Sequence, residues 1–265
     1  AGEINRLSKM VKPKLGIITN IGEAHIENFQ DIRSIAKAKG ELIDNIEING
    51  SIILNRDDRF YNYFNKKAKL RKIEVISFGK SAKANIRLIN VKKFQQLRKV
   101  TVKINDEIIK FKIKDINIYN VLCSLAVLKK LNLSLKKIIQ VYKKFEPSDG
   151  RGKIHRIKRY KKNFRLIDES YNANPLSVKN AINNFSLIKK NNFKKYLLLG
   201  DMLELGGKSE MLHKNLSKLI NSSDIDKVFI KGEKMLFTYK DLNKDKRGNI
   251  FQCDQDIDST LKNII

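Results

Sequence analysis

Short apolar runs alternate with amphipathic stretches along most of this chain. Residues 15–21, Leu-Gly-Ile-Ile-Thr-Asn-Ile, form a largely apolar run of strand length, as does Ser51-Ile52-Ile53-Leu54-Asn55. Residues 73–78 repeat the pattern and are ended by Gly79. Between these runs, residues 31–46 and 58–70 carry apolar positions at helical spacing, with Asp31 placed to cap the first helix. The texture changes over residues 85–113, where apolar and polar positions alternate with period two. Asn105-Asp106 separates two such runs and predicts a hairpin. Two helices are expected next, over 117–131 and 134–145.

Glu146-Pro147-Ser148-Asp149-Gly150 is the strongest punctuation in the chain and reads as a linker. Beyond it, strands are expected at 164–168, 195–200, 227–231 and 249–252. Helices are expected near 175–189, 208–221 and 256–265. Strands alternating with helices imply a mainly parallel sheet covered on both faces. The fold class is therefore α/β, in two parts, 1–147 and 148–265. In open parallel sheets ligands bind beyond the carboxyl ends of the strands. The residues that follow each strand thus hold the candidate chemistry.

Four segments stand there. Thr19 to Glu27 contains His25, one of three histidines, which can bind a divalent metal as neutral imidazole or cap a loop. Lys37 and Lys39 lie on the following helix, roughly 200° apart, so one can face inward while the other is solvated. Leu166 to Pro175 brings Asp168 and Glu169 to a strand end, with Pro175 in the favoured first position of a helix. Carboxylates there can accept hydrogen bonds from ribose hydroxyls, or can satisfy loop backbone groups. Gly206-Gly207-Lys208-Ser209 superficially resembles a phosphate loop, but that motif requires glycine at position 202, which is Met202. His213 follows, and a structural role is the simplest for it.

Composition changes this picture little. The formal charge is +27, from 55 basic and 28 acidic residues. Lysines run from Lys9 to Lys262 among Asn and Ile, without a basic arm or stripe. All three residue types have A/T-rich codons, so base composition accounts for the excess, and phosphate-rich small substrates suit it. Without a nucleic-acid motif or aromatic-basic interleaving, no nucleic-acid partner is expected. Cys123 and Cys253 stand far apart with no metal-type spacing, which fits a reducing, cytoplasmic setting, with Cys123 in the core. The longest apolar runs fall well short of a membrane span, and the polar start Ala1-Gly2-Glu3 does not read as a signal peptide. Lacking an initiator Met and stopping in mid-helix pattern, both ends read as cut.

Taken in order, "NIGEAHIENF…IAKAKGEL", "LNRDD", "GRGKIH", "DESYNANP" and "LGDMLELG…SEMLH" resemble the Mur ligases, from about residue 10 to residue 232. Within that family, "NIGEAH", "SYNANP" and "GDMLELG" are most similar to the members that add D-alanyl-D-alanine. The resemblance implies the second half of a central ATP-binding domain followed by a Rossmann-like C-terminal ligase domain, truncated at its end. It implies ATP-dependent ligation of D-alanyl-D-alanine to UDP-N-acetylmuramoyl-tripeptide through an acyl phosphate, in peptidoglycan precursor synthesis, by a cytoplasmic monomer. ATP and Mg2+ are the implied cofactors. His25 matches a magnesium-binding histidine, and Lys39 matches a lysine that is carbamylated in sister ligases and so becomes a metal-binding carboxylate. Both are thereby implied in catalysis. Asn120 matches an asparagine near the adenine, although Lys114-Asp115-Ile116 replaces the Gly-x-His that usually precedes it. Arg151 matches an interdomain arginine that meets the nucleotide. Glu169, with Asp168 beside it, matches an acidic contact to ribose. Asn172, Asn174 and Pro175 match the loop that faces the incoming dipeptide. The family's Gly-rich GKT loop does not occur in these 265 residues, so the chain alone is expected not to turn over.

Overall fold

The computed structural model describes residues 2–23, 26–94, 97–114, 116–190 and 192–264, without the side chains of Phe94, Lys137 and Ile264. The chain divides into two compact units. The first comprises residues 1–21 and 31–147, and the second residues 22–30 and 148–265.

The first unit opens with helix α1 (Glu3–Val11), which the local pattern does not predict. Its Gly2 N-cap has no side chain to cap with. The Glu41 carboxylate does so from a distant part of the chain, accepting from the N–H groups of Gly2 at 2.9 Å and Asn5 at 3.0 Å. Strand β1 (Leu15–Ile18) is followed by helix α2 (Ile32–Asp44). Asp31 caps α2 as expected, its Oδ1 accepting the Ser34 N–H at 2.7 Å. Then come β2 (Ser51–Asn55), α3 (Tyr61–Leu70) and β3 (Glu74–Gly79). β4 (Ile86–Phe94), β5 (Leu97–Ile104) and β6 (Glu107–Ile113) complete a six-stranded sheet in sequential order. β1 to β4 are parallel neighbours, whereas β4, β5 and β6 pair antiparallel, with the predicted hairpin at Asn105-Asp106.

Helix α4 (Ile118–Lys130) packs its Val121, Leu122, Leu125 and Ala126 into the core beside Ile53, Phe78, Val100, Val102 and Ile113. Cys123 is buried there, as expected of it. The helix expected over 134–145 is instead a four-residue α5 (Leu135–Ile138) and a 3-10 turn over Val141–Lys143. The break turns Tyr142 into the core, where it meets Phe111 at 5.8 Å between ring centroids and Ser124 at 2.6 Å.

In the second unit, β7 (Lys153–Arg159) and β8 (Lys162–Asp168) form a separate antiparallel pair. The sequence predicts the second strand but places it in a parallel sheet, and does not predict β7. Only two isoleucines and His155 interrupt the cations of β7. The two-residue turn, Tyr160-Lys161, has φ of 51° and 60° without the Asn-Gly pair that would advertise it. After α6 (Pro175–Ser186), a parallel three-stranded sheet holds β9 (Tyr196–Gly200), β10 (Lys227–Lys231) and β11 (Arg247–Phe251) in the order β11-β10-β9. Helices α7 (Ser209–Asn221), α8 (Met235–Lys240) and α9 (Asp254–Ile264) accompany it. Among the described residues, no helix is long and apolar enough to cross a membrane.

Candidate active site

Within the first unit, candidate chemistry gathers beyond the carboxyl ends of β1, β2 and β3, where a parallel sheet collects ligands. Asp58 follows β2. Its Oδ2 accepts the Ile21 N–H at 2.8 Å, and its Oδ1 accepts the Phe60 N–H at 2.8 Å. The carboxylate thus fastens the chain leaving β1 to the chain leaving β2. Lys39 is half-buried while Lys37 is exposed, so the helix turns Lys39 inward. Its Nζ donates to the Asn20 carbonyl at 3.3 Å. Burial lowers its pKa below the ordinary 10.5, and the negative charge of Asp58 opposes that shift.

Asp57 organises the next loop. Its carboxylate accepts from Lys80 N–H at 2.6 Å, Ser81 N–H at 3.0 Å and the Tyr119 hydroxyl at 3.0 Å. A Cβ at Gly79 would lie 2.7 Å from that carboxylate, so the close approach requires glycine. Burial, then the bond to Asp57, push the Tyr119 phenol up to about 12. Asn117 caps α4, its Oδ1 accepting the Tyr119 N–H at 2.9 Å, and Asn120 is exposed one turn further on. The sequence reading included Asp57 and Asp58 in the LNRDD motif but gave neither of them, nor Tyr119, a role. The Asp57-Asp58 pair, one residue beyond the end of β2, was the signal for their role.

In the second unit, Asp168 ends β8 and folds back. It accepts from Ser170 N–H and Gly150 N–H, both at 3.0 Å. Hydrogen bonds from Ser170 are the main reason its carboxyl is held below the ordinary value. Gly150 has φ of 72°, and a Cβ there would lie 2.7 Å from the Cβ of Tyr171, so Asp168 and Gly150 close this loop together. Glu169 lies beside Gly152 instead. Its Oε1 would lie 3.1 Å from a Cβ on Gly152, and desolvation with the adjacent Asp168 raises its pKa. Arg151 lays its guanidinium 4.0 Å from the Tyr171 ring centroid, which orients the fork without consuming its N–H edge. Glu169 and Arg151 are therefore presented, while Asp168 is engaged by backbone.

Asn172 is exposed in the loop before α6. Asn174 is the N-cap of α6, its Oδ1 and the Ser177 N–H meeting at 3.0 Å in a reciprocal capping box, and Pro175 is the buried first residue. Gly22 belongs to this unit and lies against the same helix start, since a Cβ on it would meet Leu176 Cδ2 at 2.9 Å. His25 lies outside the described residues.

His213 is structural. Fully buried, it accepts the Met202 N–H at Nε2, 3.0 Å, while its Nδ1 lies 2.8 Å from the Ser209 carbonyl. That pattern selects the Nδ1-protonated neutral tautomer and ties the Gly200–Lys208 loop to α7. Asp201 in the same loop caps α8, accepting the Met235 N–H at 2.8 Å.

Two family models match the chain in order: the Mur ligase middle domain over residues 1–128 and the Mur ligase glutamate ligase domain over residues 154–259. The UDP-N-acetylmuramoyl-tripeptide–D-alanyl-D-alanine ligase of Rickettsia prowazekii is 33% identical over 246 residues, covering 90% of this chain and 53% of that protein. The Bacillus subtilis ligase of the same name is 28% identical over 242 residues, covering 88% and 49%. In fold, the chain matches MurF of Acinetobacter baumannii with a TM-score of 0.86 at 24% identity, over 100% of this chain and 56% of the other. It matches Thermotoga maritima MurF, solved with ADP, with a TM-score of 0.83 at 21% identity, over 100% and 58%. The chain thus spans about half the length of the relatives it matches. With both domain models in order over most of its residues, and with this fold, the chain belongs to the Mur ligase family.

Proposed function

We propose that the chain supplies the second half of the central domain and most of the C-terminal domain of a ligase that joins D-alanyl-D-alanine to UDP-N-acetylmuramoyl-tripeptide. The reaction is ATP-dependent and proceeds through an acyl phosphate of the tripeptide, in the cytoplasm, with the enzyme acting as a monomer. The observation that carries this reading is the match, over 90% of the chain, to a relative bearing that name.

The residues present fit ATP and magnesium. Lys39 offers a half-buried amine of lowered pKa beside a backbone carbonyl, which suits a lysine that reacts with carbon dioxide and then presents a carboxylate to a cation. Arg151 presents an oriented guanidinium, a phosphate-binding geometry, with Glu169 beside Gly152 as an acceptor for ribose hydroxyls. When bound, ATP supplies the phosphoryl group and magnesium neutralises its charge. The chain's own residues contribute positioning. Asp58 holds the backbone that faces Lys39, Asn120 lies at the adenine end, and the loop from Asn172 to Pro175 is where the dipeptide amine is directed. His25 joins this set as the implied metal ligand.

A substrate panel tests the reading. The chain is joined behind a Mur-ligase N-terminal segment that carries a GKT loop, and given ATP, magnesium and the tripeptide precursor. D-Alanyl-D-alanine alone is expected to be ligated. Product formed with diaminopimelate, lysine or glutamate instead would reassign the chain to a sister ligase.

A further inference from the structure

The antiparallel extension of the first unit carries an unusual face. One side of β4, β5 and β6 packs Leu88, Val100, Val102, Phe111 and Ile113 into the core under α4. Strand alternation sends the intervening residues to the other side. The register aligns them in rows: Lys92 opposite Lys99 opposite Lys112, then Asn90, Thr101 and Lys110, then Arg87, Lys103 and Ile108. No acidic residue stands in any of these rows. Lys103 reaches Asp106 in the adjoining turn, at 3.3 Å, and Lys99 and Lys112 are engaged in interactions of their own. Residues 85–114 hold nine basic side chains against two acidic ones, so the excess is denser here than in the chain as a whole.

Neighbouring strands stand about 4.8 Å apart, well inside a screening length of about 8 Å at physiological salt. The cations therefore act on a partner as one field. Two large apolar side chains sit among them: Ile108, 62% exposed, and Ile89, 45% exposed in the bulge between Leu88 and Asn90. The rows contain no aromatic residue for a base to stack on. A face combining lysines with exposed isoleucines matches an anionic bilayer surface, where headgroups meet the ammonium groups and short apolar side chains enter the interface.

We propose that this face docks the protein reversibly on membranes rich in anionic phospholipid, without insertion of a spanning segment. The inference stands independently of the ligase reading.

Vesicle flotation of the 265-residue chain tests it, comparing phosphatidylcholine vesicles with mixed phosphatidylcholine–phosphatidylglycerol vesicles. Binding is expected only to the mixed vesicles and is expected to be released by high salt. Reversing Lys92, Lys99, Lys110 and Lys112 to Glu is expected to weaken binding about tenfold or more. If that variant does not fold, as circular dichroism would show, the same four changed to Gln carry the test. Reversing four exposed lysines elsewhere, Lys158, Lys162, Lys214 and Lys218, changes net charge equally and is expected to leave most of the binding. Ile108→Ser is expected to weaken vesicle binding without altering retention on a duplex-DNA column. Equal losses from the two lysine sets would show that net charge alone drives the association and would overturn the proposal. So would unchanged vesicle affinity in Ile108→Ser, or tighter binding to duplex DNA than to the mixed vesicles.

Discussion

At the scale of single residues, two lysines separated by one position have opposite fates. Lys37 is exposed and Lys39 half-buried, because a step of two on a helix nearly reverses direction. In the complete enzyme, Lys39→Ala is expected to abolish ligation while Lys37→Ala retains it, and equal loss in both would refute the assignment. A stability measurement adds a second readout. The folded state lowers the Lys39 pKa, so it binds fewer protons than the unfolded state, and stability rises with pH towards the unfolded value of 10.5. Below that window the buried charge is a penalty. Lys39→Met is therefore expected to raise the unfolding free energy at pH 7, with its advantage shrinking as pH approaches 10.5, as read by denaturant unfolding. A residue that costs stability where it stands is a mark of function. Asp168 and His213 show the opposite case. Asp168 was a candidate for ribose contact in the sequence and His213 a structural one, and both are occupied in closing loops.

At the scale of elements, the loop before α6 combines a cap with a candidate contact to substrate. Asn174 and Ser177 cap the helix reciprocally, with Pro175 between them. Asn174→Ala should destabilise the chain by about 1 kcal/mol, the usual worth of such a cap. Asn174→Asp keeps the acceptor and should recover most of that stability. In a complete enzyme the Asp variant then separates the two roles: a rise in KM for the dipeptide with stability intact would assign Asn174 to substrate, and an unchanged KM would leave it a cap. The elements with a strong period of their own were legible in advance, including β2, β10, the start of α6 at Pro175 and the Asn105-Asp106 hairpin. The misplaced ones share a cause. α1 is capped by Glu41, 39 positions from Gly2. α8 begins on Asp201, 34 positions before Met235. β7 turns through residues that accept positive φ only because the paired strands hold them there.

At the scale of the whole molecule, the candidate residues are divided between the compact units. Lys39, Asp58 and Asn120 belong to the first, and Arg151, Glu169 and Asn172 to the second. Phosphoryl transfer depends on cations and donors positioned around the transferring group. These 265 residues contain no GKT loop to supply the phosphate cradle. The chain by itself, given ATP, magnesium, the tripeptide precursor and D-alanyl-D-alanine, is therefore expected to release no phosphate above background. Sustained release would show that the cradle is built from other residues.

What the sequence determined by itself is everything that depends on near neighbours. That covers the α/β class, most strands and helices, the opposite facing of Lys37 and Lys39, and the ordered motifs that carry the family resemblance. Helix and strand periods are local, and a motif read in order needs no coordinates. Only the tertiary structure decided which polar groups are engaged and which are presented. It drew Asp168 into a loop while leaving Glu169 over Gly152, made Asp57 and Asp58 into clasps for distant backbone, and placed residues 22–30 with the second unit. It also brought Lys92, Lys99 and Lys112 into one row across three strands. Each of these depends on partners far away in the chain, and a carboxylate or an ammonium carries no sign in its local sequence of which distant donor, acceptor or like charge the fold will set beside it.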